Sequence, residues 1–283
     1  MDGERTNARG IASRQAAGSH FPATIGIFDE PVERARIDDL VRWVEERYAE
    51  DLRQRPSKHV YASALPPDIQ ARIDALRDSP AILDAIVARV PAGSRIVAMK
   101  HTDELYMSHY NKDRGGDQGL FDRHYDGNLR FLSSSLVVRA LIYLQSDGSY
   151  KVVFGDSRVE RAFASYEFGL LDFHRELHWV EGEYRPGDRQ RILLKCNYLV
   201  ALPGAPVVAR AAMAANTAVF YVVKAAMEYS KSPRTPAQKA VGLVCNLFRR
   251  LNIVHPALPL ALVAVASAGT GAAAWWAIAA MAR

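Results

Sequence analysis

The chain is poor in cysteine, and its two cysteines, Cys196 and Cys245, lie far apart in the sequence. Disulfide frameworks and zinc ribbons need closely spaced cysteine pairs, so both are excluded as the basis of the fold. Low cysteine content favours a reducing, cytosol-facing compartment, and a single long-range bridge is the remaining alternative.

The first residues lack the apolar core of a secretion signal. The chain begins Met-Asp-Gly-Glu-Arg, and residues 1–22 are polar, without a sustained hydrophobic period. We therefore expect a disordered leader over 1–22 and no cleaved signal peptide.

Blocks of like charge are also missing. The formal net charge is +5 and the pI is about 9.2, but the lysines and arginines are scattered along the chain. A nucleic-acid-binding protein concentrates such charge in a patch or stripe. The charge pattern therefore disfavours nucleic acid as a partner and indicates an ordinary solvated surface.

Residues 23–200 show two patterns of apolar residues. Apolar residues recur at helical spacing over 29–50, 67–76 and 80–90, with proline opening the last two segments. From residue 95 onward, short apolar runs alternate with turn residues, as expected for strands. These runs cover 96–99, 105–107, 136–144, 150–154, 169–173 and 192–200. The sequence thus predicts an α+β domain over 23–200, with N-terminal helices flanking a sandwich, jelly roll or barrel over 95–200.

The C-terminal region 201–283 has a helical character. Residues 201–228 are rich in alanine and valine, and 258–281 carry no charge. Segment 258–281 is long enough to cross a bilayer as a helix. Arg249 and Arg250 precede it, and basic residues are enriched on the cytoplasmic side of membrane-spanning helices. The alternatives are a C-terminal membrane anchor over 258–281 and a buried helix of a small C-terminal bundle.

One short motif suggests metal chemistry. His124 and Asp126 stand two residues apart, and in a strand residues i and i+2 point to the same face. An imidazole and a carboxylate are two of the three ligands in the facial triad of non-haem iron oxygenases. The third ligand would be a histidine from a distant strand. A surface turn beside an unrelated histidine is the alternative for this pair alone.

The order of segments around this motif resembles the 2-oxoglutarate/Fe(II)-dependent dioxygenases, and within them the prolyl 4-hydroxylase-like branch. That family shows His-x-Asp, a long gap, a histidine, a loop and then arginine or lysine. The similar segments are 108–111 (Ser-His-Tyr-Asn), 124–127 (His-Tyr-Asp-Gly), 141–145 (Leu-Ile-Tyr-Leu-Gln), 169–178 and 191–197. The resemblance implies a double-stranded β-helix (jelly roll), Fe(II), O2 and 2-oxoglutarate as co-substrate, with ascorbate as an additional reductant.

The resemblance also implies roles for single residues. His124, Asp126 and His178 would hold the metal, with His174 as the competing third ligand. Arg191 is the first choice to pair with the far carboxylate of 2-oxoglutarate, and Arg189 is the second. Tyr110 would add a hydroxyl to the co-substrate, or it is a core residue.

The implied activity is hydroxylation of a C–H bond, with a peptidyl-proline in a protein or peptide as the substrate. The family's Gly-Gly-Glu-Thr-x-Phe loop is missing at 147–154, which puts the substrate in doubt but not the metal.

One alternative is the same chemistry on a nucleobase or small molecule. Nucleic-acid demethylases carry a second arginine six positions after the first, where this chain has Asn197. The other alternative is an inactive, membrane-tethered jelly roll that only binds a partner.

Overall fold

The fold combines helices with antiparallel sheets. In a computed structural model, the described residues are 20–54, 57–108, 122–127, 135–182, 190–201, 234–254 and scattered positions between 203 and 229. This is an α+β arrangement, consistent with the jelly-roll core that we expected.

Three helices precede most of the strands. They are α1 (Pro31–Gln54), α2 (Pro67–Arg77) and α3 (Pro80–Val87). Proline at the start of α2 and α3 supplies a preset backbone angle without leaving an amide unpaired. The hydroxyl of Ser79 caps α3 by accepting a hydrogen bond from the amide of Ala81. These bounds confirm the three predicted helices, with the last one shorter than expected.

The strands form a seven-stranded and a three-stranded sheet. In chain order they are β1 (Thr24–Ile27), β2 (Ser57–Tyr61), β3 (Arg95–Ala98), β4 (Glu104–Ser108), β5 (Ser135–Gln145), β6 (Asp147–Phe154), β7 (Val159–Ala164), β8 (Glu167–Asp172), β9 (His178–Glu181) and β10 (Arg191–Ala201). The large sheet has the order β1-β8-β5-β10-β4-β2, with β3 also paired to β10, and the small sheet has the order β7-β6-β9. The sequence predicted β3, β4, β5, β6, β8 and β10 but missed β1, β2, β7 and β9.

The large sheet buries both of its faces. On β5, Val138, Ala140 and Ile142 belong to the cluster that contains the buried residues of the helices. Leu141 and Tyr143 alternate with them and pack with residues of the small sheet. The second cluster therefore fills the space between the two sheets.

The interior face of the large sheet also carries charged and polar side chains. By strand alternation, Arg139 on β5 shares a face with Leu141 and Tyr143. On β10, the residues of that parity are Arg191, Leu193, Lys195 and Asn197. The register places Arg139 opposite Asn197, and Arg191 opposite Ser108 of β4. Buried polar groups lining such an interior are the usual basis of a site.

The domain begins earlier than the sequence indicated. Phe21 is only 2 % exposed and belongs to the helix-side core, and its amide donates to the Asp172 carboxylate (3.4 Å). The Nε2 atom of His20 lies 2.7 Å from Oε2 of Glu176. The expected leader over 1–22 was therefore wrong for its last residues, and positions 1–19 lie outside the described residues.

The C-terminal region contributes helix α4 (Pro236–Val254). Within the part of the chain that the structure describes, no helix is both long and apolar enough to cross a bilayer. The predicted anchor over 258–281 lies outside that part.

Candidate metal centre

The His124–Asp126 segment adjoins the small sheet through a single bridge. The amide of His124 donates to the carbonyl of His178, and the amide of His178 donates back, both at 3.0 Å. Asp126 then lies in a bend, and the amide of Gly127 donates to the carbonyl of Phe173 (2.8 Å). We predicted from the sequence that His124 and Asp126 lie on a strand. That was wrong in detail, because His124 forms an isolated bridge and Asp126 lies in a bend.

His124, Asp126 and His178 come together as a metal-binding group. One ligand atom from each residue lies within 4.8 Å of the other two. The His124 Nε2–Asp126 Oδ1 distance is 3.7 Å, and the His178 Nε2–Asp126 Oδ2 distance is 3.4 Å. Two imidazoles and one carboxylate, with no fourth protein ligand in this group, are the donor set of non-haem Fe(II) oxygenases.

Backbone carbonyls orient both imidazoles. Nδ1 of His124 lies 2.8 Å from the carbonyl oxygen of Asp122, and Nδ1 of His178 lies 3.1 Å from that of Glu176. A proton on each Nδ1 donates to the carbonyl and leaves the Nε2 lone pair for a metal. Burial lowers the pKa of His178 to about 4, so this imidazole is neutral at neutral pH.

Asp126 is ionised at this site. Burial by itself raises its pKa, but Arg139, His178 and His124 together hold the pKa far below the usual range. The largest lowering effect comes from Arg139, whose Nη1 lies 2.7 Å from Asp126 Oδ2. The carboxylate is therefore charged and ready to bind a cation.

His174, the competing third ligand, packs beside the group without joining it. Its ring lies against Gly127, where an added Cβ would come within 1.9 Å of His174 Nδ1. Its amide donates to Asp172 Oδ1 (3.1 Å). Among the described residues, the metal-binding group contains His178 and not His174.

Arg191 lies buried in the interior between the two sheets. It is 5 % exposed, and its guanidinium carbon lies 5.7 Å and 6.0 Å from the ring centres of Tyr143 and Tyr106. Its Nε and Nη1 atoms have no hydrogen-bond partner among the described residues, and neither do Tyr143 Oη and Ser108 Oγ. Buried donors left unpaired around a cation fit an anionic ligand such as a carboxylate. Arg189 and Tyr110 lie outside the described residues.

Sequence reasoning missed several polar residues of this interior. Arg139 and Asn197 face each other across β5 and β10, and Tyr106, Tyr143 and Ser108 surround Arg191. The available signal was a charged residue, Arg139, inside the otherwise apolar run 136–144. A cation at an interior position of a buried strand needs an anionic partner, and this could have connected it to Asp126.

No protein-family model and no curated protein matches this chain. Several solved structures are similar to this chain. One, described as prolyl 4-hydroxylases from Phytophthora capsici, has a TM-score of 0.39 at 18 % identity over 77 % of this chain and 65 % of that one. Another is the collagen prolyl hydroxylase of Paramecium Bursaria Chlorella virus-1 in a 2OG complex (TM-score 0.41, 10 % identity, 65 % and 98 % covered).

A third similar structure is HygX from Streptomyces hygroscopicus with nickel and 2-oxoglutarate bound (TM-score 0.40, 12 % identity, 65 % and 84 % covered). 2-Oxoglutarate-binding proteins, prolyl hydroxylases included, are thus among the structures that this chain resembles. Likeness at this level assigns neither a family nor an activity, so a function has to be argued from the side chains themselves.

Proposed function

We propose that this protein is an Fe(II)- and 2-oxoglutarate-dependent oxygenase that hydroxylates a C–H bond. The observation that carries the proposal is that ligand atoms of His124, Asp126 and His178 lie close together, in a domain whose interior buries Arg191. Two donor atoms of Arg191 have no partner among the described residues. The three-ligand set leaves coordination positions for a chelating keto acid and O2. The buried arginine supplies the cation that a dicarboxylate requires.

Each residue has a defined task in this proposal. His124, Asp126 and His178 hold the metal, and the carbonyls of Asp122 and Glu176 fix the two imidazoles. Arg191, with the hydroxyls of Tyr143 and Ser108, binds the far carboxylate of 2-oxoglutarate. When bound, iron and 2-oxoglutarate supply the oxidation, in which decarboxylation to succinate and CO2 accompanies hydroxylation. The interior apolar cluster around Leu141 and Phe154 excludes water from the site.

A peptidyl-proline is the substrate that we propose. Its support is the resemblance of segments 108–111 and 141–145 to the prolyl 4-hydroxylase-like branch. Where that branch has its Gly-Gly-Glu-Thr loop, this chain forms β6, whose Val152 and Phe154 side chains are buried. A small molecule or nucleobase is the second candidate. Position 197, where nucleic-acid demethylases have an arginine, holds an asparagine whose side chain contacts Arg139.

The test of the proposed function is anaerobic addition of Fe(II) and then 2-oxoglutarate to the full chain. We expect a visible charge-transfer band from the chelated keto acid, absent with iron alone. Absence of the band in folded protein would contradict the proposal and favour a binding module without catalytic activity.

Replacing Arg191 by glutamine should weaken 2-oxoglutarate binding about 10- to 100-fold, because a charged hydrogen bond is worth about 1.5–3 kcal/mol. Titration of the same absorption band measures this affinity. Metal binding before 2-oxoglutarate should be unchanged. Arg161→Gln is the matched control, since Arg161 is an arginine on β7 that pairs with Glu167. Equal 2-oxoglutarate affinities in the two variants would place the binding cation elsewhere, with Arg189 the next candidate.

Attachment to a cytoplasm-facing membrane through 258–281 remains a prediction. A chain truncated after residue 257 should stay in the supernatant when membranes are sedimented, and the full chain should pellet with them. Salt and carbonate washes separate insertion from surface binding, because an inserted helix resists both. Recovery of the full chain in the supernatant would favour the small C-terminal bundle.

A further inference from the structure

We propose that Arg139 is a positioning residue for the metal centre, which fixes the carboxylate of Asp126 in the orientation needed to bind the metal. This inference rests on the proposed function, because it assigns a role to a neighbour of the proposed ligands. Arg139 itself has no place in the donor set or in the Arg191 pocket.

Arg139 contacts Asp126 from the interior face of β5. The side chain is only 7 % exposed, and Nη1 lies 2.7 Å from Asp126 Oδ2. Its guanidinium carbon lies 4.4 Å from the ring centre of Phe173. The planar guanidinium therefore contacts both the ring of Phe173 and the carboxylate of Asp126.

A second layer of hydrogen bonds holds Arg139 in place. Its Nε donates to Asn197 Oδ1 (3.0 Å), and Asn197 Nδ2 donates to the hydroxyl of Thr102 (2.8 Å). That hydroxyl donates to the carbonyl of Met99 (2.7 Å), and the Met99 amide donates to the Asn197 carbonyl (2.8 Å). The network closes on the backbone of β10, so the guanidinium cannot turn without losing its buried hydrogen bond to Asn197, whose own amide is held in place.

Asp126 needs such support because of where it lies. Within 122–127 the backbone is fixed to the rest of the fold at His124 and Gly127, but Asp126 itself lies in a bend outside the named strands. Its carboxylate can rotate about its side-chain bonds unless something holds it. Arg139, anchored on a central strand of the large sheet, supplies a rigid partner.

A simpler role for Arg139 is to neutralise a buried carboxylate. The two roles predict opposite effects on the metal. If Arg139 were only a counter-charge, its removal would strengthen binding of a dication to Asp126, because one repelling cation is gone. If it positions the carboxylate, its removal weakens metal binding, typically 10- to 100-fold for partners that orient a ligand.

The experiment uses Co(II), which occupies such sites and has a visible spectrum that depends on coordination number and geometry. We expect full-length Arg139→Gln to bind Co(II) about 10-fold more weakly, with an altered spectrum. Arg139→Lys keeps the charge but cannot hold both Asn197 and Asp126, so it should behave like Arg139→Gln. Asn197→Ala keeps Arg139 and loses its anchor, and should show a smaller change in the same direction.

Arg161→Gln is the matched control, because it removes an arginine that pairs with a different carboxylate, Glu167, and has no role in the proposed site. Its Co(II) affinity and spectrum should equal those of the wild type. Wild-type affinity and spectrum in both Arg139 variants, or tighter binding, would overturn the inference and leave the metal site intact. If Arg139→Gln does not fold, the Co(II) affinities and spectra of Arg139→Lys and Asn197→Ala test the inference in its place. Absence of Co(II) binding in the wild type would overturn the proposed function and this inference with it.

Discussion

Replacing His178 by alanine should abolish both the 2-oxoglutarate charge-transfer band and hydroxylation, whereas His174→Ala should keep both. His178 contributes one of three ligand atoms that lie within 4.8 Å of one another. Its Nδ1 is held by the Glu176 carbonyl, which leaves Nε2 for the metal, and among the described residues the metal-binding group has no fourth member to replace it. The measurement is the anaerobic absorbance titration of the full chain, with each variant compared at equal protein and iron concentrations.

His174→Ala is the matched control because it removes the neighbouring buried histidine. Its imidazole packs on Gly127 and Phe173, so its loss should lower the melting temperature without moving the band. The assignment of the third ligand would be contradicted by the reverse pattern, with the band lost in His174→Ala and kept in His178→Ala. Circular dichroism of both variants separates ligand loss from unfolding.

The four strands that the sequence analysis missed are all at sheet edges. β1 and β2 end the large sheet, and β7 and β9 end the small one. An edge strand pairs on one side only and can be short and polar, as in Ser57–Tyr61 and Val159–Ala164. The predicted strands, such as Ser135–Gln145 and Arg191–Ala201, are buried on both faces and therefore stand out as long apolar runs.

The candidate site was predictable where its signal was local. His124-x-Asp126 is a two-residue pattern, and the resemblance singled out His178 and Arg191. The partners of these residues depend on register between distant strands. Arg139 meets Asn197 because β5 pairs with β10 in one particular alignment, and no property of either segment alone fixes that alignment. A group of buried and half-buried charged residues on the helix side of the sheet was also not predicted.

This charged group surrounds Arg77 at the end of α2. Its side chain is fully buried, with Nη1 2.6 Å from Asp74 Oδ1 and 2.7 Å from Asp103 Oδ2, and Nη2 3.0 Å from Asp78 Oδ2. The hydroxyl of Tyr198 on β10 donates to the Arg77 carbonyl (2.7 Å). Arg77 thus joins α2 to the residue that precedes β4 through its buried guanidinium, and to the central sheet through its backbone carbonyl.

Arg77→Met should lower the free energy of unfolding by about 3–5 kcal/mol, because it leaves the Asp103 carboxylate buried without its cation. Urea unfolding followed by circular dichroism measures this loss. Arg72→Met is the matched control: Arg72 lies on the same helix and is only half-buried, so we expect a change within about 0.5 kcal/mol. Adding Asp103→Asn to Arg77→Met should recover part of the loss, because the buried charge is then absent.

The loss in Arg77→Met should also depend on pH. Even with Arg77 present, burial raises the pKa of Asp103 from 3.8 to about 6, and without the guanidinium that pKa rises further. A carboxyl whose pKa is higher in the folded state favours folding while it is protonated, below its unfolded pKa, and loses that contribution as pH rises through the folded value. The destabilisation of Arg77→Met relative to wild type should therefore be larger at pH 8 than at pH 5. A loss that is equal at both pH values would mean that Asp103 is not the group left uncompensated, and would point to packing around the methionine instead.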